Sequence, residues 1–154
     1  MNHFQKNGVA YKASAPIRTN RAIYRSASVA NTCTEADAAT QTKVPLGITA
    51  GHGKFAQGSY ADLATLLSSD TVIAQTGDGV DFFGEGEVAW AIAGGTITDL
   101  SVPLVATTDG KLIATVQDWT TAPTTYQWAV GFPLRAAAAG EIFPVEVKIF
   151  FTPI

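Results

Sequence analysis

Several groups of residues have the types and spacing to support chemistry. The first is Gly51-His52-Gly53-Lys54, which invites comparison with a phosphate-binding loop. Such a loop needs a glycine five residues before its Gly-Lys pair and a Ser or Thr after it, so that backbone N–H groups cradle phosphate and a hydroxyl meets Mg²⁺. Ile48 and Phe55 occupy those positions, so the stretch reads as a glycine-rich turn. Asp78, Asp81, Glu85 and Glu87 form a local acidic cluster that could meet a hard cation. They lack the EF-hand order, and a polar strand connection explains them equally well. His3 and His52 are the two histidines; a Ser-His-Asp arrangement would have to use one of them, and no Gly-x-Ser-x-Gly elbow accompanies either. Gly84-Glu85-Gly86 and Gly94-Gly95 lack the third glycine and the following helix of a dinucleotide fingerprint. They fit turns and bulges between strands.

Two further groups matter more for binding than for reaction. Trp90, Trp119 and Trp128, with Tyr126 and Phe132, could form an exposed strip that stacks on sugars. The alternative is packing in the core and between subunits, where large rings supply much of the contact area. Cys33 is the single cysteine, so it has neither a disulfide partner in the chain nor a second thiolate to share a metal. It reads as a small buried apolar residue. No catalytic residue, metal or cofactor is assigned, and the expectation is a protein that is not an enzyme.

The elements that must position these residues sit in a chain of 154 residues, 47% hydrophobic and 15% charged. That length suits one domain. With so few charges, Thr, Ser, Gly and Ala must cover the surface, which fits a protein packed against neighbours better than a freely diffusing enzyme. The net charge of −3 conceals an asymmetry. Residues 1–34 carry Lys6, Lys12, Arg18, Arg21 and Arg25 and no acid, a charge of +5; residues 35–154 set five cations against all thirteen acids, a charge of −8. A basic segment on an acidic body is a partner signal, toward an acidic protein surface or nucleic acid. No apolar run approaches the roughly 20 residues that span a bilayer, and no apolar region after Lys6 suggests a secretory leader.

Residues 1–20 show neither helical nor strand period and read as an extended N-terminal arm. Phe4, Val9, Tyr11 and Ile17 are unusual for a permanently disordered tail, so the arm is expected to become ordered on another subunit. Residues 21–154 read as one β-rich domain. Arg21 to Val29 alternates as a first strand. Residues 35–41 suggest a weak helical turn capped by Thr34. Val44 to Thr49 contains Pro45, which points to an edge strand or a strand start. Ser59 opens the one short helix expected, with Asp62 in its first turn and Tyr60, Leu63, Ala64 and Leu67 on one face. Thr71 to Gln75 reads as a short strand, and Phe82-Phe83 begins the next apolar patch. Asp109-Gly110 between Leu104-Val105-Ala106 and Leu112-Ile113-Ala114 is a strong hairpin signal. The last two strands are Gln127 to Leu134 and Glu141 to Phe151, joined by Ala136 to Gly140, with Val145, Val147 and Ile149 on one face. The fold expected is all-β, mainly an antiparallel β-barrel or β-sandwich.

Three stretches carry a resemblance to a known family: Val44-Pro-Leu-Gly-Ile-Thr49, then Gly94-Gly-Thr-Ile-Thr-Asp-Leu-Ser-Val-Pro-Leu-Val-Ala-Thr-Thr-Asp-Gly-Lys111, then Val130-Gly-Phe-Pro-Leu-Arg-Ala-Ala-Ala-Ala-Gly-Glu-Ile-Phe-Pro-Val-Glu-Val147. Together they resemble the small capsid decoration, or cement, proteins of tailed bacteriophages, over about half the chain. Asp99-Leu100-Ser101 departs from the Ala-Gly-Asp usual in that family's mid-chain hairpin, and the basic arm is longer than in its compact members. The resemblance implies a domain on the capsid exterior of the virion, bound to major capsid protein and to its own copies as a homotrimer, with neither nucleic acid nor membrane as partner. On this view Lys6, Lys12, Arg18, Arg21 and Arg25 steer the arm to the shell while Phe4, Tyr11 and Ile17 anchor it. Trp90, Trp119, Trp128 and Phe132 serve self-association. The alternative is a carbohydrate-binding β module using an exposed Trp.

Overall fold

The computed structural model describes residues 11–50, 71–115 and 125–154. Among them every regular element is a strand, in keeping with the all-β expectation. The short helix expected from Ser59 lies outside the described residues. The strands are β1 (Lys12–Ala13), β2 (Ile17–Arg18), β3 (Ala22–Arg25), β4 (Thr32–Glu35), β5 (Pro45–Thr49), β6 (Val72–Ala74), β7 (Phe82–Phe83), β8 (Val88–Ile92), β9 (Leu104–Ala106), β10 (Leu112–Ala114), β11 (Tyr126–Pro133) and β12 (Ile142–Pro153). A first sheet runs β1-β4-β3-β5-β7 and a second β10-β9-β11-β12-β8; β2 and β6 form a small two-stranded sheet.

The first sheet is buried on both faces, and its side-chain alternation shows how. Ala22, Tyr24 and Ile48 point into a core shared with Ala91, Leu104, Leu112, Phe143, Val145 and Val147 of the second sheet and its neighbours. Ile23, Cys33 and Phe82 point the other way, into a second cluster completed by Tyr11, Ala13, Ile17, Ile73, Ala74 and Val80. Successive strand residues face opposite sides, so a strand covered on both sides reads as a continuous apolar run, as Ala22-Ile23-Tyr24 does.

That second cluster corrects the second half of the arm expected over residues 1–20; residues 1–10 lie outside the described residues. Residues 11–20 belong to the folded body: β1 pairs in parallel with β4, and β2 pairs with β6. Three of the side chains expected to meet a shell, Tyr11, Ile17 and Arg21, are buried in the chain's own interior. Phe4 and Lys6 lie outside the described residues. Arg21 is fully buried because a hairpin closes over it. Its Nη1 donates to the Asp109 carbonyl at 2.8 Å and sits 3.5 Å from the Asp109 carboxylate. The Ala22 N–H donates to the Gly110 carbonyl at 2.9 Å. Gly110 has φ +78°, and a Cβ there would press on Arg21 Cβ at 3.1 Å and the Ala22 carbonyl at 3.2 Å. The Asp-Gly turn foreseen from sequence is thus also the clamp between the two sheets.

The second sheet curls until its edges meet. Ala93, just beyond β8, bridges Leu112 of β10, and the Gly94 N–H donates to the Leu112 carbonyl at 2.7 Å. A Cβ on Gly94 would meet Ile113, Thr107 and Lys111 side chains at 3.0–3.2 Å, so glycine permits this approach. The molecule therefore combines a barrel-like second sheet with a sandwich partner.

Smaller differences from the sequence have local causes. The first strand stops at Arg25 rather than Val29 because the chain turns at Asn31, which has φ 57°. Thr34 lies inside β4, and the turn after it is capped by Asp37, whose carboxylate accepts the Ala39 and Thr40 N–H groups at 2.9 and 2.8 Å. Pro45 begins β5 as expected, but the strand is interior, flanked by β3 and β7. On β12 the inward set runs Phe143, Val145, Val147 and half-buried Ile149, then shifts to Thr152. A register irregularity opposite Ala129 and Gly131 inserts the extra β12 residue responsible.

Candidate binding surface

Several described polar groups that could do chemistry are engaged in turns. Among the described residues no three His, Cys, Asp or Glu side chains gather as a metal site. Of the acidic cluster, Asp78 accepts the Gln75 N–H at 2.9 Å and Glu87 accepts the Gly84 N–H at 3.1 Å, both as turn acceptors. Gly51-His52-Gly53-Lys54, His3 and Trp119 lie outside the described residues. Cys33 is buried, and burial pushes its thiol up to about 12, leaving it protonated and unreactive at neutral pH. Burial likewise pushes the Tyr24 phenol up.

Among the described residues, the basic side chains of the first 34 positions do not converge. Arg18 forms a forked pair with Glu35, Nη2 to Oε2 at 2.7 Å and Nε to both oxygens at 3.1 Å. This pair ties β2 to β4, while Arg21 clamps the hairpin. Lys12 and Arg25 are exposed on the surface.

What the second sheet does bring together is aromatic. Tyr126 and Trp128, then Phe132 and Leu134, lie along β11 and just past it, separated by the buried Ala129, Val130 and Gly131 at the register irregularity. Across the ladder, Trp128 stands opposite Phe151, Tyr126 opposite Pro153 and Phe132 opposite Glu146. Residues directly opposite one another share a face. The Phe151 ring stacks on Tyr126 with centroids 5.4 Å apart and leans on Trp128, also at 5.4 Å; Phe132 and Phe150 stack at 5.5 Å. On the neighbouring β8, Trp90 stands opposite Pro144 and Val88 opposite Glu146.

These side chains are left in water. Phe151 is 57% exposed, Val88 53%, Trp90 51%, and Tyr126 and Leu134 46% each. Trp128, Phe132 and Phe150 are half-buried. Single exposed apolar residues are ordinary. A band of them over three adjacent strands is the mark of an interaction surface. Its only described ion pair is Glu146 with Lys148, 3.4 Å apart and open to solvent, which has little strength to organise the face by itself.

Trp90, Trp128 and Phe132 were picked out by residue type, and the structure sets them on strands of one sheet. Phe150 and Phe151 were missed. In a regular alternation Phe151 would share the inward face of Val145 and Val147, and the irregularity that turns it outward has no signature in the sequence.

No known protein family matches the chain, and no curated protein matches it in sequence. Among solved structures it is similar to the N base of the head fiber gp8.5 of bacteriophage phi29, with a TM-score of 0.49 and 17% identity over 90% of this chain and 91% of that one. So distant a likeness leaves the role of this chain to be argued from its own residues.

Proposed function

We propose that the chain is a structural, non-enzymatic phage protein that docks on the outside of a capsid and associates with its own copies through the aromatic face of β8, β11 and β12. The observation that carries this reading is the exposed band Trp90, Tyr126, Phe151 and Val88, with half-buried Trp128 and Phe132 beside it. Aromatic side chains of this kind are the usual anchors of protein interfaces. The sequence resemblance to capsid decoration proteins and the low charge content support the same reading. Binding only the assembled shell would stabilise it by mass action, and many copies at fixed spacing would add multivalency. Bridging of adjacent major capsid subunits, and a trimer as the unit, complete the proposal.

Size measurement of the full chain, alone and mixed with empty capsids, tests it. The expected result is an assembly larger than the 16.1 kDa monomer that co-sediments with capsids. A triple Trp90→Ser, Tyr126→Ser, Phe151→Ser variant should be monomeric and fail to co-sediment. A wild-type monomer that ignores capsids would refute the proposal. The exposure of Trp90 keeps one rival in view, a sugar platform; a monomer whose tryptophan fluorescence responds to oligosaccharides would favour it.

A further inference from the structure

A cleft of about 720 Å³ lies at the far end of the first sheet, lined by Arg25, Ser26 and Ala27 at the end of β3 and by Ala39, Thr40 and Lys43 through Leu46 around the turn into β5. Its composition is selective. Arg25 and Lys43 are the two charged groups on the lining, and no carboxylate faces them there. Both are exposed, and no described acid is paired with either: the described ion pairs use Arg18, Arg21, Lys111, Arg135 and Lys148. This stands out in a chain with an acidic excess. The Thr40 hydroxyl is already committed to Asp37, to which it donates at 2.9 Å. Ser26 adds a second hydroxyl, 3.5 Å from that of Ser28, and the rest of the lining is aliphatic: Ala27, Ala39, Val44, Pro45 and Leu46, with Val44 49% exposed.

That lining narrows the ligand. No aromatic ring is present to stack on a base or a sugar. Two cations are too few to hold a nucleic-acid backbone, whose binding rests on many phosphate contacts. Small-molecule sites usually bury most of their ligand, whereas most of this lining stands open to solvent. An open cleft that carries two cations and several aliphatic side chains suits a chain that combines carboxylates with aliphatic side chains. We infer that this cleft is a docking site for a short acidic–aliphatic peptide segment of a partner protein, with Arg25 and Lys43 meeting its carboxylates and Val44, Pro45 and Leu46 its apolar side chains.

The cleft shares no residue with the aromatic face, and its binding is tested without capsids. The probe is a fluorescently labelled Leu-Asp-Val-Asp peptide blocked at both ends, titrated with the full chain and followed by anisotropy. Saturable binding that weakens with added salt is expected. Arg25→Gln and Lys43→Gln should each weaken it about three- to fivefold, the scale of an exposed ion pair, and the double Arg25→Glu, Lys43→Glu variant should abolish it. Because both positions are exposed, each variant should keep the wild-type unfolding midpoint. No binding at millimolar chain, equal binding of the Leu-Asn-Val-Asn analogue, or undiminished binding by the charge-reversed variant would overturn the site. Displacement of the peptide by octanoate at equal concentration would overturn the assignment to a peptide.

Discussion

The two sheets solve the same problem differently. The first sheet has a cover on each face: the second sheet on one side, and the segment 11–18 with Ile73, Ala74 and Val80 on the other. The second sheet has the shared core on one face and, among the described residues, an open band of rings on the other. Both carry large apolar side chains. The first withdraws most of its own from water within the chain, leaving Leu46 and Phe83 only half-buried, as Ile23 and Tyr24 at 0% exposure show against Phe151 at 57%. Burial of an apolar side chain is worth on the order of 1.5–3 kcal/mol, so the rings of the second sheet hold stabilisation that folding alone leaves unused. A partner surface can recover it. This contrast divides the molecule into a part closed by the fold and a part the fold leaves open.

The contrast breaks most severely if its covering layer is removed. Deleting residues 1–20 takes away Tyr11, Ala13 and Ile17 and uncovers Ile23, Cys33 and Phe82. Loss of stability by more than about 4 kcal/mol is expected, read as collapse of the cooperative transition in denaturant. A truncated chain that unfolds with an unchanged midpoint would restore the separate arm over 1–20. Next in size is Ile23→Ala, which opens a cavity on the doubly covered strand and should cost about 2–5 kcal/mol in the same assay.

A smaller effect is expected on acidification. Burial pulls the Asp109 carboxyl upward, but the Thr107 hydroxyl and then the hydrogen bond and charge of Lys111 outweigh it, holding it at about 2 against an ordinary 3.8. A folded value below the unfolded one means that this stabilisation is complete above about pH 4 and is lost as the pH falls toward 2. The carboxylate is 44% exposed, so solvent screening keeps the contribution under about 1 kcal/mol. An Asp109→Asn variant should lose less stability than wild type over that interval; parallel curves would show that the Asp109 carboxylate does not stabilise the turn it shares with Thr107 and Lys111. The smallest effect on folding belongs to the open face: Trp90→Ser should move stability by no more than about 0.5 kcal/mol, since its ring gains little from the chain itself.

Much of the second sheet was legible because its signals are local. Asp109-Gly110 between two apolar triplets announces β9 and β10, and the alternation Val145, Val147, Ile149 announces the inward face of β12. The first sheet was harder to read. β1 and β2 are two residues each, and they exist only because β4 and β6 present edges to pair with. Arg21 looked like a steering charge because its partner, Asp109, lies 88 residues away. For the binding face, residue type pointed to Trp90 and Trp128, while the irregularity that turns Phe151 outward depends on the β11–β12 register and is invisible in one strand read alone.

The most direct test is an image of the intact particle, resolved well enough to place the β-strands. The expected result is density for this chain on the shell exterior, with Trp90, Tyr126 and Phe151 covered by a neighbouring polypeptide. A chain absent from the shell, or one whose β8, β11 and β12 face looks out into solvent, would contradict it.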